Sequence, residues 1–482
     1  MKQKTIIFFV ILVFAAIFVS IFSLGQRSLM DFDEATYARV IHESLINKNF
    51  LSFTLGGAPW FEKPPFYFWL AGGSAAILGE NEFAMRLPSA AFLIGSIILI
   101  WFIIFELTKN KRSAFLSSAV LLSTAFFVCA GRQVRLDVPV TFAILFSFYS
   151  FSRGLKNQKW FLGLGVGLAA GVLSKSIIGL LSLPIIFIFS LIYGEWKWLK
   201  NKFFWASICL SFLLVLPWHI FQTIKFGNQF WNVYFFTHIL GRVSENLVFG
   251  EVSSRFYQLG QLFVVSQPWF LFFTFLGLGF ILKYRSKIFQ HKFEFFTLVT
   301  ALFVLIIFHV PRTILLYYFI PMFPFMAMFI GSVFEKLLEW RPRFFVVAIS
   351  LLFLLGFTST FFTIFSNKDR NFFLQPLPKI SRYMLSAEER VVGKEIRGLD
   401  IPFYSYKWNF FPTIIYYSDA KNILIANNGG EVSSSFFLLV PRPLFKDTNS
   451  LPFKSADGKL DWNLLYAGQA AMLFRAEVAI QD

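Results

Sequence analysis

A chain of 482 residues that is 56% hydrophobic and only 15% charged lacks the makeup of a soluble globular protein, in which about 25% of residues are charged. Its net charge of +17 does not mark a nucleic-acid binder, because Lys and Arg gather between apolar runs, the pattern that orients membrane segments. The cysteines, Cys129 and Cys209, both lie within apolar runs, which argues against a disulfide framework, and two thiols cannot build a four-thiolate zinc site.

A spanning helix needs ~20 mostly apolar residues. The first candidate is Ile6–Leu24, behind Lys2 and Lys4. Its apolar core is too long for a signal peptide and no small-x-small cleavage site is clear. It reads as an uncleaved helix with a cytoplasmic N-terminus. Leu87–Leu107, Ala114–Gly131, Val138–Phe151, Trp160–Leu173, Ile177–Tyr193, Phe203–Ile220, Gln261–Leu282, Phe295–Val310, Ile314–Val333 and Phe344–Phe365 follow. The expected fold is an α-helical polytopic membrane protein with about 11–13 transmembrane helices. The loops then predicted to be cytoplasmic, Lys109–Arg112, Arg153–Lys159, Glu195–Lys202, Lys283–Lys292 and Glu335–Arg343, are rich in Lys and Arg, as the positive-inside rule requires. Nearly every unusual polar residue falls in the opposite set, which includes the first loop, Gly25–Arg86.

The tail, residues 366–482, has a mixed composition with Pro and Gly breaks. Its short apolar runs Asn422–Ala426 and Ser435–Val440 read as strands, and Ser386–Ile396 as a helix. A membrane domain over 1–365 and a small extracytoplasmic α/β domain over 366–482 are therefore expected.

The outward-facing segments carry the chemistry. LMDFDEATYARVIHES (29–44) places Asp31, Asp33 and Glu34 at the start of an expected helix, with Asp33 at or near its N-cap. Capping and the helix dipole account for acids there, although a capping residue can also do chemistry. APWFEKPPFYFWL (58–70) presents Glu62 and Lys63 on backbone constrained by Pro64 and Pro65. The alternative reading of Glu62 and Lys63 is a surface pair of little worth, and the aromatics after them suit an interfacial helix. GENEFAMRLPSAAF leads through Arg86 into the second span. GRQVRLDVPVTF sets Asp137 beside the start of an apolar run. A carboxylate at that depth costs ~2.5–3.5 kcal/mol and faces a cavity or a partner, for which Arg132 and Arg135 are at hand. LPWHIFQTIKFGNQFWNVYFFTHILGR contributes His219, His238 and Arg242, the last two spaced to share a helix face. VPRTILLYYFIP contributes Arg312, Tyr317 and Tyr318.

Taken in order, the DE pair with its Tyr-Ala helix, FEKPP, the A-x-RLPS element, the Arg-x-x-x-x-Asp turn, PW…HILGR and YxxP resemble polytopic lipid-linked sugar transferases of the GT-C fold. The likeness is to the lipid A aminoarabinose transferase and to dolichyl-phosphate-mannose protein mannosyltransferases, over roughly residues 1 to 340. The resemblance implies Asp33, with Glu34 and Asp137, as catalytic acids. It implies Lys63, Arg242 and Tyr318 at the donor phosphate, and Glu62 and His238 as ligands of zinc or a similar divalent ion. The partners it implies are a polyprenyl-phosphate-sugar donor and a glycolipid, glycan or protein acceptor. It places the enzyme in a bacterial inner membrane with its site facing the periplasm. Two departures stand out: Arg312 followed by Thr313-Ile314 replaces a Lys often found before the YxxP tyrosine, and GEVSSRFYQ replaces a His-x-x-Pro element. No Trp-Trp-Asp triplet is present, which argues against an oligosaccharyltransferase. No glycine-rich nucleotide loop occurs either. The competing class is a multi-span lipid or solute transporter or flippase, which would place polar breaks near the bilayer midplane rather than along one surface.

Overall fold

The computed structural model describes residues 2–30, 33–244 and 255–365, and strand segments at 403–406, 423–426, 431–432, 436–441, 454–455, 460–467 and 471–478. The chain forms two compact units. The first comprises Met1–Leu24, Phe61–Val248 and Val252–Lys368; the second comprises Gly25–Trp60, Phe249–Glu251 and Asp369–Asp482. The first loop is thus divided after Trp60.

In chain order the elements are α1 (Lys2–Ile21), α2 (Asp33–Ile46), β1 (Thr54–Leu55), β2 (Ala58–Pro59), α3 (Phe66–Leu78), α4 (Glu82–Thr108), α5 (Lys111–Leu122), α6 (Ala125–Gly131), α7 (Asp137–Gly154), α8 (Phe161–Lys175), α9 (Ser182–Tyr193), α10 (Lys202–Phe226) and the short α11 (Asn228–Trp231). A π-helix, Asn232–Gly241, leads into the single turn α12 (Arg242–Ser244). Then come α13 (Arg255–Val265), α14 (Trp269–Tyr284), α15 (Lys292–Ile307), α16 (Met322–Trp340) and α17 (Pro342–Phe365). The chain is a multi-pass, mainly helical membrane protein.

Every apolar run read as a span is helical, but among the described residues fewer full-length crossings are found than expected. Four helices among the described residues are long and apolar enough to cross a bilayer, or up to six if each bent pair is one span. The difference has local causes. Residues 158–193 form one stretch rather than two, and α5–α6 and α13–α14 are bent by 70° and 104°. Several of the remaining runs are single short helices.

The breaks are chemically settled. Between α5 and α6 the Ser123 carbonyl, released from the helical ladder, accepts from Trp269 Nε1 at 3.0 Å and from Thr360 Oγ1 at 3.1 Å. Backbone freed at membrane depth needs such partners. Between α8 and the 3-10 turn Ser176–Leu181, two glycines let backbones touch: a Cβ on Gly179 would stand 2.1 Å from the Gly171 carbonyl carbon.

Two arginines flagged in the sequence close the end of α1. Arg132 donates to the Val19 and Phe22 carbonyls at 2.5 and 2.8 Å, and Arg86 to the Leu24 carbonyl at 2.9 Å. Cations at a helix C-terminus satisfy its last carbonyls and complement its dipole. The aromatic run after Pro65 departs from the interfacial expectation. Tyr67 and Phe68 are fully buried, and the Tyr67 hydroxyl donates to the Met85 carbonyl.

In the second unit, β1 and β2 form a hairpin closed by Gly56 and Gly57. The runs expected as strands in the tail are strands, β4 (Ile423–Ala426) and β6 (Phe436–Pro441). With β3 (Phe403–Tyr406), β8 (Leu460–Ala467) and β9 (Ala471–Val478) they form a sheet ordered β4-β3-β6-β9-β8. Its β4-β3-β6 portion is parallel, and β9 runs antiparallel to β6 and β8. A separate parallel pair joins β5 (Glu431–Val432) and β7 (Lys454–Ser455). The helix expected at Ser386–Ile396 lies outside the described residues.

Candidate active site

In the membrane unit, Asp137 opens α7 and is buried. Lys175, the last residue of α8, bonds Asp137 Oδ1, and Arg135 Nε lies 3.5 Å from Oδ2. Of the two arginines offered by sequence, Arg135 is therefore the partner, while Arg132 caps α1. The Arg135 guanidinium centre lies 3.3 Å from the Tyr317 ring centroid, and the Tyr317 hydroxyl donates to Gln133 Oε1 at 3.3 Å. Lys175 Nζ is 5.0 Å from the ring centre of Tyr318.

Tyr318 links this cluster to the next one. Its hydroxyl accepts from Arg242 Nη1, and Arg242 Nη2 approaches His238 Nδ1 at 3.4 Å. Backbone bonds from Thr313 N to the Arg242 carbonyl (3.1 Å) and from Arg312 N to the Val243 carbonyl (3.3 Å) clip the two segments together. The register that brings Arg242 to Tyr318 is thereby fixed by main chain.

Glu62 and Lys63 follow Phe61, which is buried edge-on against Phe226 and Phe230. Their charges are 3.7 Å apart. Lys63 is 12% exposed and Glu62 38% exposed, so this is no free surface pair. The surroundings push His238 down to about 4: burial is the main cause, the Lys63 and Arg242 charges add to it, and Glu62 opposes them. His238 is a neutral imidazole at ordinary pH. His219, by contrast, is structural. Its Nδ1 meets the Val215 carbonyl at 2.9 Å and its Nε2 the Tyr234 hydroxyl at 3.2 Å. Tyr234 also accepts from Ser176 Oγ at 2.9 Å, and burial pushes its hydroxyl up to about 12.

In the second unit, α2 begins at Asp33, as expected. Glu34 is buried, and its carboxylate accepts from Met30 N–H at 2.7 Å. Asp33 is partly exposed at the first helical position. The far end of the same helix contains a residue that sequence reasoning passed over. Glu43 accepts from Arg39 Nε (2.8 Å), Thr54 Oγ1 (2.6 Å), Gly56 N (2.7 Å) and Gly57 N (3.2 Å). Gly56 and Gly57 have φ of 63° and 80°, the left-handed conformation that a tight two-residue hairpin turn requires. Their amides thereby converge on one carboxylate. Burial raises the Glu43 carboxyl, but the hydrogen bonds from Thr54 and Arg39, the Arg39 charge and the Gly56 amide outweigh it and hold Glu43 below the usual carboxylate range.

A group depressed in this way contributes stability above its unfolded pKa and loses it as pH falls through the lower folded value. Glu43→Gln is expected to destabilise the α2–hairpin unit by about 2 kcal/mol, the scale of charged buried hydrogen bonds, and to flatten the acid limb below about pH 4. Melting curves between pH 7 and pH 3 check this. An unchanged acid limb would show that Glu43 contributes nothing to it.

Lys175 was also missed. The available signal was a lone cation in a very short connection between two apolar runs, which in a membrane protein marks a functional or paired site.

Comparisons with known proteins bear on the fold. A family model described as dolichyl-phosphate-mannose-protein mannosyltransferase matches residues 62–221. An uncharacterized protein of Aquifex aeolicus is 25% identical over 426 residues, 81% of this chain and 82% of that protein. The undecaprenyl phosphate-alpha-4-amino-4-deoxy-L-arabinose arabinosyl transferase of Aeromonas hydrophila is 27% identical over 69% of this chain, and that of Enterobacter is 25% identical over 46%. These matches span 61% and 41% of the two enzymes' own lengths, or about half of the curated relatives. Among solved structures, ArnT from Cupriavidus metallidurans bound to undecaprenyl phosphate superposes with a TM-score of 0.73 at 14% identity, covering 97% of both chains. The archaeal oligosaccharyltransferase AglB from Archaeoglobus fulgidus gives 0.55 at 13% identity, covering 87% of this chain and 63% of that one. At such identities the structures speak for the fold. The chain thus shares its fold with these two proteins, and its residues 62–221 match the mannosyltransferase family model.

Proposed function

We propose that the protein transfers a sugar from a polyprenyl-phosphate donor to a hydroxyl or phosphate oxygen of a glycolipid, glycan or protein acceptor, with inversion at the anomeric carbon. The observation that carries this reading is the linkage of Arg242 to Tyr318 and His238, with the Lys63 charge close enough to depress His238. Such an array of cationic and hydroxyl donors suits a phosphate dianion.

In the reaction the acceptor oxygen forms a bond to the anomeric carbon while the bond from that carbon to the phosphate oxygen breaks. The electron pair leaves with the lipid phosphate. Lys63, Arg242 and Tyr318 stabilise the charge gathering there. The acceptor proton goes to a carboxylate, and Asp33 is assigned that role. Asp137 has Lys175 and Arg135 against its two oxygens, which suits an acid that holds cations in place. Glu34, turned to the Met30 amide, holds the start of the Asp33 helix.

Glu62 and neutral His238 are a carboxylate and an imidazole, ligand types suited to zinc or a similar divalent ion. Among the described residues no group of three His, Cys, Asp or Glu comes together to hold a metal. The pair therefore fits an ion only when water or donor-phosphate oxygens complete its shell. Elemental analysis of wild-type protein is expected to find a divalent ion retained with polyprenyl phosphate and lost in Glu62→Gln and His238→Ala. Full activity of metal-free enzyme in chelator would reduce both residues to pocket groups.

The site is assigned to the periplasmic face of a bacterial inner membrane on the strength of the basic connections at the opposite face. In a Cys129→Ser/Cys209→Ser background, Lys111→Cys is expected to react with an impermeant thiol reagent only from the cytoplasm, and Leu51→Cys only from outside. Labelling of Leu51→Cys from the cytoplasm would invert the topology. For the function itself, purified protein in lipid nanodiscs is given a radiolabelled polyprenyl-phosphate sugar and a lipid extract as acceptor. Label should move to acceptor while free polyprenyl phosphate accumulates. Donor crossing between leaflets of proteoliposomes with no sugar transfer would favour the flippase reading instead.

A further inference from the structure

A second charged constellation lies at the opposite ends of α4 and α7, outside the site described above. Glu106, in the last turn of α4, has a side chain only 7% exposed, and three cations converge on it. Lys156 Nζ stands 2.5 Å from one oxygen, with Arg153 Nη1 at 2.9 Å and Lys109 Nζ at 3.6 Å from the other. One carboxylate neutralises one of the three, so the corner keeps an excess of positive charge. The lysines are also far from enclosed: Lys109 and Lys156 are each 58% exposed. An ammonium carries three donors, and the Glu106 contact uses only part of that capacity. Exposed ion pairs contribute little to stability, so neutralising Glu106 does not explain a third cation.

The depth of the cluster identifies what it faces. α4 is a membrane-crossing helix by length and hydropathy, and Glu106 lies at its end. Trp160 takes the Arg153 guanidinium at 5.5 Å from its centroid and meets Tyr149 edge-on at 5.8 Å. Trp and Tyr at the ends of spans mark the headgroup level. Nearby, α5 begins with Lys111 and Arg112 and has no acid in its first turn, which adds cations where the helix dipole is already positive. Glu335 and Glu339 on α16 are the acids facing this side, and Arg112 acts on Glu335.

We propose that this corner binds the headgroup of an anionic glycerophospholipid in the leaflet that meets the basic connections, with Lys109 and Lys156 on its phosphodiester and Arg153 held between headgroup and Trp160. The partner is a lipid because exposed cations, an aromatic marker of the interface and a spanning helix end coincide. A basic pocket between spans is a recurrent way of recognising acidic headgroups.

The full-length protein is purified, exchanged into nanodiscs holding equal phosphatidylglycerol and phosphatidylcholine, and the lipid retained on gentle release is measured by native mass spectrometry. Wild type is expected to retain phosphatidylglycerol in preference by on the order of tenfold. Lys109→Gln/Lys156→Gln should bring the preference near to even, and Lys109→Arg/Lys156→Arg should keep it. Equal retention of both lipids by wild type, or an undiminished preference in the Gln variant, would overturn the proposal. If the Gln variant melts early, a salt series on wild type decides. At 1 M salt, where the screening length is about 3 Å, a preference based on exposed lysines must fall, and one that persists contradicts the assignment.

Discussion

Purified Asp33→Asn protein should be folded and nearly inactive. Asparagine keeps the size of the side chain and much of its capacity at a helix start, so α2, which begins at this residue, should form as before. On the proposed reaction, what is lost is the ability to take the acceptor proton, and general-base catalysis is worth roughly 10²–10⁴-fold. Single-turnover transfer from a labelled donor should slow by ~10²-fold or more, while the melting temperature and the affinity for polyprenyl phosphate stay near wild type. Near-normal turnover would leave Asp33 only a role in starting its helix.

Removing the cations proposed to hold the donor phosphate should do the reverse, weakening the donor side first. Lys63→Ala and Arg242→Ala are each expected to lose about tenfold or more in affinity for polyprenyl phosphate, the scale of a charge-assisted hydrogen bond. Calorimetric titration of the product lipid measures this directly, and acceptor affinity should change little. Arg242→Lys should not restore binding. The guanidinium reaches Tyr318 with one nitrogen and His238 with another, and a single ammonium cannot make both contacts. Loss of the Lys63 charge has a further consequence, since that charge helps keep His238 neutral. In Lys63→Ala the imidazole should titrate at higher pH, visible by NMR of the labelled ring. Unchanged lipid affinity in both alanine variants would detach these residues from the donor.

The sequence made some of this legible and hid the rest for identifiable reasons. Apolar runs report helices well, because burial in lipid or in a helical core selects the same residues, so every run read as a span is helical. Runs do not report where a helix bends. The break between α5 and α6 depends on Trp269 and Thr360 meeting the Ser123 carbonyl, contacts remote in sequence. Arg86 and Arg132 were conspicuous as charges beside spans, yet their work is to hold the carbonyls at the end of α1, which only the packing of α1 reveals. The reading of the residues around Arg242 and Tyr318 was carried by motif order rather than by periodicity. Lys175 was overlooked because its partner, Asp137, begins a different helix. Glu43 was overlooked because a Glu inside an amphipathic helix looks like a solvated surface residue until the hairpin amides close over it.

The glycine contact at the end of α8 bears on how the charges behave over time. With Gly179 pressed against the backbone at Gly171, the turn after α8 has no slack in which to slide or rock. Lys175 ends α8 immediately before that turn, so its main-chain anchor is held next to the contact. The main-chain root of the cation paired with Asp137 is therefore part of a scaffold held by close backbone packing.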